Sequence, residues 1–84
     1  MKDILYHNVR KRTIKQKVTL ITKENNHKNG KLLDIGCGTG YFIAAAQKAN
    51  WNIAAVEVNP EARQLAEQKI NQPIAKDIFD IEAK

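Results

Sequence analysis

Three carboxylates and a run of glycines are the residues of this 84-residue chain best placed to do chemistry. Asp34-Ile35-Gly36-Cys37-Gly38-Thr39-Gly40 sets an acid just ahead of glycines at alternate positions. Glycines in such a loop reach positive φ and remove the Cβ atoms that would keep a ligand off the backbone. A helix leaving the loop would point its free N–H groups toward the same place. Glu57 comes 19 positions after Gly38. At the end of a second parallel strand, an acid accepts hydrogen bonds from ribose hydroxyls, two hydroxyls matching two carboxylate oxygens. Asp77 would end a third strand, from which it reaches an adenine edge and accepts from the amino group. A structural glycine turn with unrelated surface acids is the alternative. Three successive strand ends carrying Asp34 with the glycines, then Glu57, then Asp77, weigh against it.

These residues need elements to position them. Lys31-Leu32-Leu33-Asp34-Ile35 is a short apolar run that reads as a strand leading into the glycine loop. Tyr41 to Ala49 reads as a helix with Phe42, Ala45, Ala46 and Ala49 on its buried side, ended by Asn50 in a left-handed conformation. Ile53-Ala54-Ala55-Val56-Glu57-Val58 is nearly continuous in apolar character, as a parallel strand covered on both faces needs to be. Asn59 can cap the next helix with Pro60 at its first position, and Ala62, Leu65, Ala66 and Ile70 form that helix's core face. Pro73-Ile74-Ala75-Lys76 is a weaker third strand. Ahead of all this, Asn8 to about Lys23 has helical periodicity through Ile14, Val18 and Ile21, with Leu20 widening the stripe, and residues 24–30 read as a loop. The expected fold is α/β and Rossmann-like: a three-layer α-β-α arrangement with a parallel sheet and right-handed crossovers, preceded by an N-terminal helix. Residues 1–30 form a basic helical segment and loop, and residues 31–84 carry the strand-end chemistry.

The stretch from Lys31 to Asp80 resembles the front of class I S-adenosylmethionine-dependent methyltransferases. Leu33-Asp34-Ile35-Gly36-Cys37-Gly38-Thr39-Gly40 is similar to that family's first motif, Val56-Glu57-Val58-Asn59-Pro60 to its second-strand signature, and Ala75-Lys76-Asp77-Ile78 to its adenine-holding segment. The resemblance implies S-adenosylmethionine as cofactor. Gly36, Gly38 and Gly40 would line its methionine and ribose parts, with Cys37 a small residue of the same loop. Asp34 would orient the methionine amino group, Glu57 would bind the ribose, Val58 would lie against the adenine face, Asp77 would contact the adenine amino group, and Ile78 would sit beside the ring. The family's sheet has seven strands, whereas three are read here. The expectation is therefore the N-terminal, cofactor-binding half of a methyltransferase domain, truncated where a fourth strand would begin near Asp80. The acceptor pocket and any general base would lie elsewhere, and a complementing chain or self-association through the exposed sheet edge would cover the open side.

A nicotinamide-binding Rossmann domain is the competing enzyme reading. Its fingerprint asks for glycine or alanine three places after the second glycine, and that position is Tyr41. Asp34 also suits a cofactor with an ammonium group better than a diphosphate. A non-catalytic remnant and a basic nucleic-acid-binding module are readings of a different kind. The net charge of +5 sits at the front: residues 1–31 carry nine Lys/Arg against two acids, residues 32–84 five against seven. Arg10, Lys11, Arg12, Lys15 and Lys17 could face phosphate, but no aromatic residue is interleaved with them, so the solvated face of a helix is favoured.

Composition narrows the rest. A hydrophobic share of 43% fits a globular chain, and 84 residues allow one small domain near the lower size limit. No apolar run approaches the roughly 20 residues of a membrane span, and Met1–Val9 lacks the apolar core of a signal peptide. A single cysteine excludes an internal disulfide, which makes the cytoplasm the default compartment. Cys37 could have a lowered pKa near a helix N-terminus, but a structural role as a small loop residue is favoured. His7 and His27 read as surface histidines, and Trp51 as an edge packing residue. No clustered Cys/His set proposes a metal.

Overall fold

The computed structural model describes residues 3–6, 13–26 and 28–81. In chain order the elements are β1 (Asp3–Tyr6), α1 (Ile14–Glu24), β2 (Lys31–Ile35), α2 (Tyr41–Lys48), β3 (Asn52–Val56), α3 (Pro60–Ile70) and a 3-10 turn (Ile78–Asp80). The three strands form one parallel sheet in the order β1-β2-β3. Asp3 aligns with Lys31 and Tyr6 with Asp34 on one side of β2; Lys31 aligns with Asn52 and Ile35 with Val56 on the other.

Local chemistry explains the helix ends. Thr13 and Gln16 form a reciprocal capping box at the start of α1, the Gln16 N–H donating to Thr13 Oγ1 at 3.1 Å and the Thr13 N–H to Gln16 Oε1 at 3.0 Å. The described helix begins at Ile14, and Asn8–Arg12, from which the helix was expected, lie outside the described residues. Asn59 Oδ1 accepts from the Glu61 and Ala62 N–H groups, with Pro60 opening α3 as expected. Asn50 and Asn71 follow α2 and α3 in left-handed conformations at φ 70° and 55°.

The helices cover one face of the sheet. Leu32 and Asp34 of β2 and Ile53 and Ala55 of β3 are buried, while their neighbours Lys31, Ile35, Asn52 and Ala54 are exposed. That alternation marks a sheet closed on one side. The described residues thus build two of the three expected layers, and the covering of both faces read into residues 53–58 does not occur among them. Ile21, Leu32, Phe42, Ile43, Ala46, Trp51, Ile53, Ala66, Ile70 and Ile74 meet in one core. Ile21 packs into this core and Asp3–Tyr6 pairs with β2. Ile43, absent from the expected buried face of α2, is fully enclosed; Leu65, expected in the core of α3, is exposed. Trp51 is buried and donates to Thr22 Oγ1 at 3.3 Å.

Two strand expectations are corrected. Asp3–Tyr6 is a strand where a helical segment and loop were expected over residues 1–30. Pro73–Lys76 is not a strand: it meets the sheet at one parallel bridge, Val56 with Ala75. Proline has no N–H to give a ladder, and the Ile74 N–H donates to Glu67 Oε2 at 2.8 Å instead of to β3. Beyond the bridge, Asp77 Oδ1 accepts from the Phe79 N–H at 2.9 Å and turns the chain into the 3-10 helix.

Candidate functional site

The glycine loop leaves β2 under the control of β3. The Gly36 and Cys37 N–H groups both donate to the Val56 carbonyl, at 2.8 and 3.1 Å, and the Gly40 N–H closes a turn on the Cys37 carbonyl at 3.2 Å. Gly36, Gly38 and Gly40 have φ of 80°, 61° and 93°, a region that costs other L-residues about 1–2 kcal/mol each. Their surroundings differ. A Cβ on Gly36 or Gly38 would meet nothing within 4 Å, whereas one on Gly40 would lie 2.7 Å from the Ala66 Cβ and 2.8 Å from its Cα. Gly40 is the contact through which α3 approaches the loop, while Gly36 and Gly38 leave space beside the backbone.

Glu57 joins this loop to the next. Its Oε1 accepts from the Gly38 N–H at 2.6 Å and its Oε2 from the Asn59 N–H at 3.0 Å. Glu57 is 8% exposed and sits just past the end of β3. Its position comes from the ladder: the Glu57 N–H donates to the Ala75 carbonyl at 2.8 Å. Arg63, one turn into α3, donates from Nη1 to the Glu57 carbonyl at 2.9 Å and to the Val58 carbonyl at 3.4 Å. No local sequence pattern singles out Arg63; its role depends on how α3 folds back over the β3 end.

A cleft of about 170 Å³ opens beside the loop, lined by Asp34, Gly36, Cys37, Thr39, Gly40, Tyr41 and Phe42 with Ile14 and Lys17 from the start of α1. It gathers Asp34, Gly36, Cys37 and Gly40 of the expected site residues. Gly38 and Glu57 are bonded to each other outside it; Val58, just past β3, and Asp77 and Ile78, at the start of the 3-10 turn, are exposed. Ile14 and Lys17, read from sequence as core stripe and basic face, belong to the cleft wall; only the packing of α1 against α2 could reveal that. Lys15 and Lys23 are solvent-exposed, while Arg10, Lys11, Arg12, His7 and His27 lie outside the described residues.

Burial pushes the Cys37 thiol up to about 12, reinforced first by the charge of Asp34 and then by that of Glu57. The thiol is neutral at physiological pH, so a lowered pKa, and with it a nucleophile, does not arise here. Among the described residues no group of three or more His, Cys, Asp or Glu could hold a metal ion, and no helix is long and apolar enough to cross a membrane.

Comparisons with known proteins agree with this arrangement. A family model described as a methyltransferase domain matches residues 6–83. Among solved structures, a sugar N-methyltransferase from Streptoalloteichus sp ATCC 53650 superposes with a TM-score of 0.63 at 27% identity, covering 82% of this chain and 28% of that enzyme. The chain therefore spans well under a third of that relative. A comparison with curated proteins finds no match. The Rossmann-like α/β class expected from the sequence is borne out by the strand and helix alternation and by this superposition.

Proposed function

We propose, on the premise that the chain belongs to the methyltransferase-domain family, that the glycine-loop site binds S-adenosylmethionine and forms the donor side of a methyl-transfer reaction. The observation that carries the reading is Glu57, whose two carboxylate oxygens each hold one backbone N–H at the strand end. A carboxylate offers about four lone-pair positions. Two remain after Gly38 and Asn59 are satisfied, one for each vicinal hydroxyl of a ribose.

The donor set fits this cofactor. Asp34 is a buried acid in the wall of the cleft, a partner for the methionyl ammonium, and Gly36 and Gly38 leave room for the chain to pass close to the backbone. Val58 just past β3 and Ile78 in the 3-10 turn present exposed apolar surface, suited to the two sides of an adenine, with Asp77 beside Ile78. When bound, the cofactor supplies an electrophilic methyl group on sulfonium; this chain binds and orients it. Holding the donor in line with an acceptor supplies much of the catalysis of such a displacement. A dinucleotide is disfavoured at the same loop because Tyr41 occupies the position where its fingerprint packs a glycine or alanine.

Titration calorimetry with S-adenosylmethionine, S-adenosylhomocysteine and NAD tests the reading. Binding of the two S-adenosyl compounds in preference to NAD is expected. Tighter binding of NAD would overturn it.

A further inference from the structure

The glycine loop is gripped by a lysine that is not among the cleft-lining residues. Lys69, near the end of α3, donates from Nζ to the Thr39 carbonyl at 2.7 Å, and the same nitrogen lies 4.2 Å from the centroid of the Tyr41 ring. Thr39 and Tyr41 both line the cleft. What brings Lys69 there is Ala66, three residues earlier on the same helix face, which closes against Gly40 so tightly that a Cβ would not fit. The target of this grip is the peptide unit joining Thr39 to Gly40. Its carbonyl is held by Lys69, and its N–H donates to the Cys37 carbonyl at 3.2 Å. A peptide unit is planar, so fixing both of its polar groups fixes the plane. With it are fixed the left-handed turn at Gly40 and the point where the loop enters α2.

We propose that Lys69 and Tyr41 act as an external clamp on the lip of the glycine loop, with Lys69 a positioning residue that sets cofactor affinity without touching the cofactor. The affinity part rests on the S-adenosylmethionine reading of the site; the clamp itself is a property of the free loop. With the clamp removed, the Thr39–Gly40 peptide can rotate, the loop divides its population among several arrangements, and apparent affinity falls by the fraction that remains competent.

Two readouts on the 84-residue chain separate these parts. The first is amide hydrogen exchange without cofactor. Lys69→Met should speed exchange of the Gly40 amide by roughly fivefold or more while leaving Leu32 in β2 unchanged. Because Lys69 is exposed, its thermal midpoint should stay within about 3 °C of the parent. The second readout is calorimetry with S-adenosylhomocysteine. Lys69→Met should bind roughly tenfold more weakly, Tyr41→Leu about threefold, and Lys69→Arg, which supplies both a donor and a cation for the ring, should restore affinity to within about threefold. Unchanged Gly40 exchange in Lys69→Met overturns the clamp whether or not the cofactor binds. Faster Gly40 exchange with unchanged affinity overturns the link to binding. A parent chain that ignores S-adenosylhomocysteine while Gly40 exchange still responds to Lys69→Met supports the clamp and overturns the cofactor assignment.

Discussion

The two ends of the candidate site are held by very different amounts of structure. From Gly36 to Asn59, strand ends, loop and helix start are cross-tied: Val56 receives two N–H groups of the loop, Glu57 receives one from each adjoining turn, and Arg63 closes over the carbonyls of Glu57 and Val58. From Pro73 to Ile81 the chain meets the sheet at one bridge, the Asp77 carboxylate serves its own turn, and Phe79 is 91% exposed. Under the proposed function, the methionine and ribose end is organised before the cofactor arrives, and the adenine end gains order on binding. Substitutions at the first end should therefore disturb both folding and binding. Those at the second should disturb binding alone.

The largest effect belongs to Gly40→Ala. It forces a Cβ onto the Ala66 backbone at a positive φ, and the strain and overpacking together should cost about 3 kcal/mol in urea unfolding. Gly36→Ala shares the positive φ but meets open space, so it should cost about 1 kcal/mol. Equal losses at the two positions would remove the distinction between a packing glycine and a glycine that leaves room.

Glu57→Gln comes next. Glutamine keeps the shape but offers one acceptor oxygen and an NH₂, so a donor faces a donor at either Gly38 or Asn59. Losing a hydrogen bond to a charged group should cost roughly 1.5–3 kcal/mol of stability, with a comparable loss in S-adenosylhomocysteine affinity. A variant as stable as its parent would mean that the carboxylate does not join the two loops.

Cys37 gives a smaller, pH-dependent effect. Its thiol keeps its proton up to about 12 in the folded chain, against the ordinary 9.0. The unfolded chain releases that proton first, so this contribution to stability is complete below about pH 9 and declines as pH rises toward 12. Alkylation by iodoacetamide should accordingly stay slow at pH 9 in the folded chain, and Asp34→Asn should speed it by removing the second cause of the shift. Rapid alkylation of the parent at pH 8 would contradict the burial of this thiol.

Asp77→Asn is the smallest. An amide oxygen can still accept from the Phe79 N–H, so urea unfolding should be unchanged within about 0.5 kcal/mol. Affinity for S-adenosylhomocysteine should fall about threefold to tenfold through the lost charged acceptor. A large stability loss would make the Pro73–Ile81 segment as structural as the glycine loop.

The strongly tied end was the legible one. Glycines at alternate positions, an acid 19 residues after Gly38 and an Asn-Pro helix start each carry their own physical signature, and β2, α2, β3 and α3 appeared where those signatures placed them. The Pro73–Lys76 strand failed because apolar character does not reveal that Glu67 would capture the Ile74 N–H. The four residues Asp3–Tyr6 hold too short a pattern to read from sequence; their strand character comes from pairing with β2. Thr13 and Gln16, three residues apart, carry a readable capping signature, whereas hydrophobic periodicity alone does not mark where α1 begins. Lys17, Arg63 and Lys69 reach the site through helix packing, for which the local sequence holds no signal.

Backbone amide NMR during titration with S-adenosylhomocysteine tests most directly whether the glycine loop and Glu57 form the cofactor site. The account predicts saturable shifts at Gly36, Gly38, Glu57 and Asn59, smaller ones at Asp77 and Ile78, and none at Lys15 and Lys23 on the outer face of α1. Shifts confined to that basic face, or a glycine loop that does not respond at saturating ligand, would contradict it.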